Sequence, residues 1–239
     1  MRISQLHNFA AGSPVFVVGT GPSLRVFPFL TEFLSHGRLV IGLNQAYRHC
    51  NPQFMLTVHP ELYLEWRKLR AEGNSADTKW IIKKKPPMEN LSFDDPVHYV
   101  FNTSPDLRTV ADRPDPDVLY IGEGVQCTAI DLAARMGAGA VILIGCDACS
   151  LLGEHHGHDQ HVRFLGLQPE DQYALYRKRT AQVRKIVREK YKLPVLTLSP
   201  FIGVGHAEED YARLCMELGL QKLPKPKDVS PYKREKPKL

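Results

Sequence analysis

The chain has no run of the eighteen or so apolar residues that a membrane-spanning helix requires. Its opening, Met1-Arg2-Ile3-Ser4-Gln5, lacks the basic-then-apolar layout of a secretion signal, so a cytoplasmic protein without a membrane span is expected. Cysteine is sparse: five residues in 239, an odd number scattered over a chain too large to need staples. That excludes a disulfide framework and favours free thiols. Two nucleotide-binding signatures are missing as well. No Gly-Lys-Ser/Thr closes a Walker A loop, and no complete Gly-x-Gly-x-x-Gly fingerprint is present. Charge of one sign is also scarce outside one segment. From Lys222 onward seven Lys and Arg stand against Asp228 and Glu235, which accounts for the whole net charge of +5. The rest of the chain is balanced.

What is present is enough apolar residue, 43% of the chain, to fill a substantial core. We read residues 1–221 as a single domain. Residues 222–239, interrupted by prolines and poor in apolar side chains, read as a flexible basic C-terminal tail. The tail would act as a solubilising extension or as an arm for a phosphate-rich partner such as nucleic acid or lipid.

Short β-branched runs bounded by breakers predict buried strands at Pro14 to Val18, Arg38 to Leu43, Phe54 to Val58, Trp80 to Ile82, Val97 to Phe101, Val118 to Ile121, Ala140 to Ile144 and Val195 to Leu198. Helical spacing predicts helices over Leu24 to Ser35 (starting near Pro28), Glu61 to Ala71, Val125 to Met136, Glu170 to Tyr191 and Ala207 to Leu218. The proline-rich Pro105 to Pro116 stretch reads as a loop or lid. Strands alternating with helices give a Rossmann-like, doubly wound α/β fold with a mostly parallel sheet.

Nearly every long strand ends in a small or polar cluster: Gly19-Thr20-Gly21, Asn44-Gln45, His59, Gly122-Glu123-Gly124, Gly145-Cys146-Asp147 and Ser199-Pro200. Open α/β sheets bind ligands outside the carboxyl ends of their strands, so these clusters predict a site for a nucleotide-containing small molecule. Gly19 and Gly21 suit close backbone approaches, and Pro22 and Ser23 suit the start of a helix whose N–H groups attract phosphate, although tight strand-to-helix turns need glycine whatever they bind. On this reading Gly21→Val abolishes nucleotide binding and spares the fold. Asn44 and Gln45 offer amides to a base edge, a ribose or a sugar hydroxyl, or simply cap the strand. Asp147 accepts from ribose hydroxyls or caps the following helix.

The segment His155-His156-Gly157-His158-Asp159-Gln160-His161 holds four of the ten histidines. Together with Cys146 and Cys149 it raises the possibility of zinc, but its spacing fits no common finger. We read it as a substrate-facing loop carrying a general base, His158 and His161 ahead of His155 and His156, with no metal site.

Val17-Val18-Gly19-Thr20-Gly21-Pro22-Ser23-Leu24, Gly42-Leu43-Asn44-Gln45-Ala46-Tyr47, Gly122-Glu123-Gly124-Val125 and Ile142-Leu143-Ile144-Gly145-Cys146-Asp147 resemble, in order, the motifs of bacterial family 42 sialyltransferases. They equally resemble the wider group of motility-accessory (flagellin-glycosylating) transferases and archaeal 6-hydroxymethylpterin diphosphokinase, including short phage-type proteins. The resemblance spans about Pro14 to Pro200. It implies a nucleotide, a CMP-sugar in the sialyltransferases, surrounded by Gly19, Gly21, Ser23, Asn44, Gly124 and the Gly145 to Asp147 loop. It also implies a histidine base between that loop and the last strand. The tyrosines that contact the CMP phosphate in those enzymes have no counterpart beside Asp147, where Ala148 and Cys149 stand.

Three functions follow as expectations. The first is a metal-independent glycosyltransferase that takes a nucleotide-sugar donor as substrate and needs no other cofactor. The second is (di)phosphoryl transfer to a pterin-like heterocycle with Mg2+ held by Asp147 or Asp159. The third is a non-catalytic nucleotide-binding module.

Overall fold

A computed structural model describes residues 1–26, 30–35, 37–71, 77–84, 99–148 and 169–198. Eight strands form one sheet: β1 Pro14–Val18, β2 Leu39–Leu43, β3 Phe54–Thr57, β4 Lys79–Lys83, β5 Tyr99–Ser104, β6 Val118–Tyr120, β7 Ala140–Ile144 and β8 Val195–Thr197. Their order is β6-β5-β4-β3-β2-β1-β7-β8, and every strand pair is parallel. The α-helices are α1 Leu30–Leu34, α2 Pro60–Ala71, α3 Arg108–Ala111, α4 Val125–Arg135 and α5 Pro169–Tyr191. This is the Rossmann-like α/β fold that the alternating pattern predicts.

Both faces of the sheet are covered, which explains why its strands read as continuous apolar runs. Alternation within each strand divides the core in two. Val15, Val17, Ile41, Phe54 and Leu143 pack with residues of α4 and α5 on one face. Phe16, Val18, Val40, Met55, Trp80 and Ile142 pack with α1 and α2 on the other. The long helix α5, polar by composition, docks through a stripe of Tyr173, Thr180, Val183 and Val187. Among the described residues no helix is long and apolar enough to cross a membrane.

Two local expectations change. The helix expected over Leu24 to Ser35 is a 3-10 helix over Pro22–Val26 followed by the short α1. Ser23 is gripped there by a side chain from the other end of the site, and Leu24 lies where a Cβ on Gly145 would stand. The segment Pro105 to Pro116 contains α3 and is fastened to the body. Arg135 donates to the carbonyls of Thr109 (3.0 Å) and Asp115 (2.9 Å), and the single Tyr191 hydroxyl proton is shared between the carbonyls of Val110 and Ala111. No proline falls between Asp106 and Arg113, so one helical turn fits between the breakers. The predicted helix Ala207 to Leu218 and the basic tail 222–239 lie outside the described residues.

Candidate functional site

Strand order reverses at β1: one run of crossovers builds β2 to β6 on its one side, and β7 and β8 lie on its other. The loops leaving β1 and β7 part at such a switch point, which is where doubly wound sheets bind ligands. A crevice of about 250 Å³ opens there. It is lined by Gly19, Thr20 and Gly21 after β1, Leu43 and Asn44 after β2, and Val58 and His59 after β3. Ile121 to Gln126 between β6 and α4, Gly145 to Ala148 after β7, and Tyr173 and Tyr176 of α5 complete it.

The β1 and β7 loops are joined by their backbones. The Gly19 N–H donates to the Ile144 carbonyl (2.8 Å) and the Gly21 N–H to the Gly145 carbonyl (2.7 Å), carrying the ladder beyond the strands. A Cβ at Gly19 would stand 2.3 Å from the Gly145 oxygen, and one at Gly21 would stand 2.5 Å from Asp147 Oδ2. These glycines therefore serve the contact between the two loops. Gly21→Val strikes the fold itself, contrary to the expectation that it would leave the fold intact.

Asp147 is buried and reaches across to the first loop. Its Oδ2 accepts from the Ser23 N–H at 2.7 Å and its Oδ1 from the Ser23 hydroxyl at 2.6 Å. Asp147 thus caps the 3-10 helix at Pro22 from 124 residues away. Pro22 and Ser23 lie behind the crevice wall and do not line it. Gln45 is likewise behind the wall, donating to Glu65 of α2 at 3.2 Å. That contact and the Arg48 guanidinium hold the Glu65 carboxyl below its usual range even though partial burial pushes it up.

Three residues around the crevice have left-handed backbones: Asn44 (φ 54), Gly145 (φ 62) and Ala148 (φ 48). Asparagine and glycine adopt this region readily, whereas alanine pays for it. Arg177 of α5 donates to the Ala148 carbonyl at 2.7 Å and holds the turn. Burial, with the Asp147 carboxylate beside it, pushes the Cys146 thiol up, so this wall residue stays protonated. Cys149 and His155, His156, His158 and His161 lie outside the described residues. Among the described residues no three His, Cys, Asp or Glu side chains gather as metal ligands.

Helix α4 enters the crevice amino end first. Gly124 occupies its N-cap with extended backbone, and among the described residues no side chain caps the helix. No lysine or arginine is among the described residues lining the crevice. The described lining offers an anion backbone N–H groups and the dipole of α4.

Among the lining residues that escaped sequence reasoning in whole or part are Tyr173, Tyr176 and His59. Tyr173 and Tyr176 lie on a helix that reads as polar; their spacing of three, on one face of α5, was the available signal. Burial pushes the Tyr176 hydroxyl up, and it accepts from the Gln172 amide. His59 marks a strand end in the sequence, but its partner does not show there. Glu61 Oε1, at the start of α2, lies 3.3 Å from His59 Nδ1.

No protein-family model matches the sequence, and no curated protein sequence matches it. Two solved structures are similar in fold. One is the sialyltransferase CstII from Campylobacter jejuni in complex with a substrate analogue, cytidine-5'-monophosphate: 13% identity, TM-score 0.50, covering 80% of this chain and 81% of that one. The other is a mammalian sialyltransferase in complex with Gal-beta-1-3GalNAc-ortho-nitrophenol: 13% identity, TM-score 0.43, covering 77% and 69%.

Proposed function

We propose that this protein is a glycosyltransferase that moves a sugar from a nucleotide-activated, CMP-type donor to an acceptor hydroxyl by direct displacement, with a histidine base and without a metal. The observation that carries this reading is the crevice at the topological switch point, walled by strand-end loops and entered by an uncapped helix amino end. The same fold holds cytidine-5'-monophosphate in CstII.

In this reading Gly19, Thr20, Gly21, Asn44, Gly122, Glu123, Gly124, Gly145, Cys146 and Asp147 surround the donor, while Pro22, Ser23 and Gln45 support the wall from behind. Direct displacement needs two contributions: help in removing the acceptor proton and stabilisation of the departing phosphate. The amino end of α4 supplies the second, aided by the hydroxyls of Tyr173 and Tyr176. The base comes from the segment between Ala148 and Tyr173, His158 and His161 ahead of His155 and His156. Support for that assignment is positional, because the residues at both ends of the segment line the crevice. The diphosphokinase reading asks Asp147 or Asp159 to hold Mg2+; both oxygens of Asp147 are engaged by Ser23, and Asp159 lies outside the described residues.

Titration with cytidine-5'-monophosphate in EDTA tests the proposal: it should raise the melting temperature by mass action. Each loop histidine changed to Ala should then lose turnover of a CMP-sugar while keeping nucleotide affinity and containing no zinc. Absence of any response to cytidine nucleotides overturns the reading, and stoichiometric zinc overturns the base assignment.

A further inference from the structure

The far wall of the crevice, at the ends of β2 and β3, carries a polar group that the proposed chemistry leaves without a task. Thr57, fully buried at the end of β3, ties this wall together through its hydroxyl. It accepts from the His59 N–H at 3.0 Å and directs its proton to the nearer of two acceptors, Asn44 Oδ1 at 3.1 Å, with the His59 carbonyl at 3.3 Å. The Asn44 N–H donates to the Leu56 carbonyl at 3.1 Å, so the β2 turn is fixed to β3 by backbone and side chain alike. With Oδ1 committed to Thr57, the amide group that Asn44 offers the crevice is its NH2, a pure donor.

His59 offers the complement. Its Nδ1 lies 3.3 Å from Glu61 Oε1, both side chains being half or more exposed, and because a carboxylate can only accept, this contact favours a proton on Nδ1 and, in the neutral ring, a lone pair on Nε2. The wall then presents one donor and one acceptor, both lining the crevice. An ionised phosphate or carboxylate only accepts and cannot use both. A hydroxyl pair can, since one oxygen accepts from the amide while the other donates to the imidazole.

We infer that Asn44 and His59, the latter set in its Nδ1–H form by Glu61, make a subsite for a vicinal diol of the ligand. The inference rests on the reading of the crevice as a nucleotide-sugar site. The diol belongs either to the ribose of the nucleotide or to the transferred sugar.

Imidazole nitrogen NMR on the full chain, with the His59 signals assigned by loss in His59→Leu, decides the matter. The ligand-free protein should show His59 in the Nδ1–H form, and Glu61→Ala should remove that preference. Cytidine-5'-monophosphate should move the Nε2 signal and bind about tenfold more tightly than its 2',3'-dideoxy analogue, a difference that His59→Leu erases. If His59→Leu weakens only a CMP-sugar and not the bare nucleotide, the diol is that of the sugar. An Nε2–H or doubly protonated His59 overturns the inference. So does an unchanged affinity of His59→Leu for both ligands. If the wild-type chain binds no cytidine nucleotide, the nucleotide-sugar reading fails separately and ribose 5-phosphate becomes the probe. A shift of the His59 signals then sustains the diol subsite, and no shift overturns it.

Discussion

Two glycine-bracketed helix starts face the same crevice, and they are built in opposite ways. At Gly19 to Ser23 the amino end of the 3-10 helix is closed from within: the Ser23 N–H, which a bound phosphate would seek, already donates to Asp147. At Gly122 to Gln126 the end of α4 has no side-chain cap. The glycines differ in what they meet. A Cβ on Gly21 would press on the Asp147 carboxylate and the Gly145 backbone, whereas one on Gly124 would meet the amide of Gln126, a buried side chain that donates to the Thr180 hydroxyl at 3.2 Å, and one on Gly122 would meet the Tyr120 ring. The first loop is closed by the Asp147 carboxylate, and the second leaves its helix end without a side-chain cap. A motif that looks like a phosphate cradle in sequence can thus have been filled by the protein itself.

The largest effect expected from this contrast is on stability. Gly19→Ala and Gly21→Ala should each cost about 2–4 kcal/mol in urea denaturation, because the contacts are with backbone and a buried carboxylate that cannot yield cheaply. Equal costs at Gly21 and Gly124 would break the comparison. Ser23→Ala comes next. It removes one donor from a buried carboxylate and should cost about 1–3 kcal/mol, with nucleotide affinity changed less than stability. A loss of affinity without loss of stability would mean that Ser23 faces the ligand after all. Gly124→Ala should be the mildest for the fold, about 1 kcal/mol through the strained Gln126–Thr180 hydrogen bond, yet should weaken cytidine-5'-monophosphate several-fold in calorimetry by displacing Gln126 at the helix entrance.

The strands and the crevice at their carboxyl ends were legible in the sequence for a physical reason. A doubly covered parallel sheet needs uninterrupted apolar runs, and these must end somewhere polar; Ala140 to Ile144 and the Gly145 that follows show both. Asp147 was legible as a strand-end carboxylate with two roles, and neither expected role names its partner, since Ser23 is 124 residues away and no local pattern records such a contact. The one-turn helix at Arg108–Ala111 was hidden by its flanking prolines and by anchors from Arg135 and Tyr191, again distant in sequence. Tyr173 and Tyr176 were hidden because composition describes α5 as a whole and the crevice meets only its first turns.

The placement of β7 beside β1 has a kinetic side. Val15 pairs with Val141, so the central strand waits for a partner made 126 residues later. Loop closure over such a distance is slow compared with the neighbouring β1–β2 pairing, where Val15 meets Leu39. While the chain is being synthesised, β1 therefore has an open edge of five residues, Pro14–Val18, that are apolar and prone to pair with other chains. The same docking event that shields this edge also brings Asp147 to Ser23 and creates the crevice, so a formed crevice marks the closing of the exposed edge.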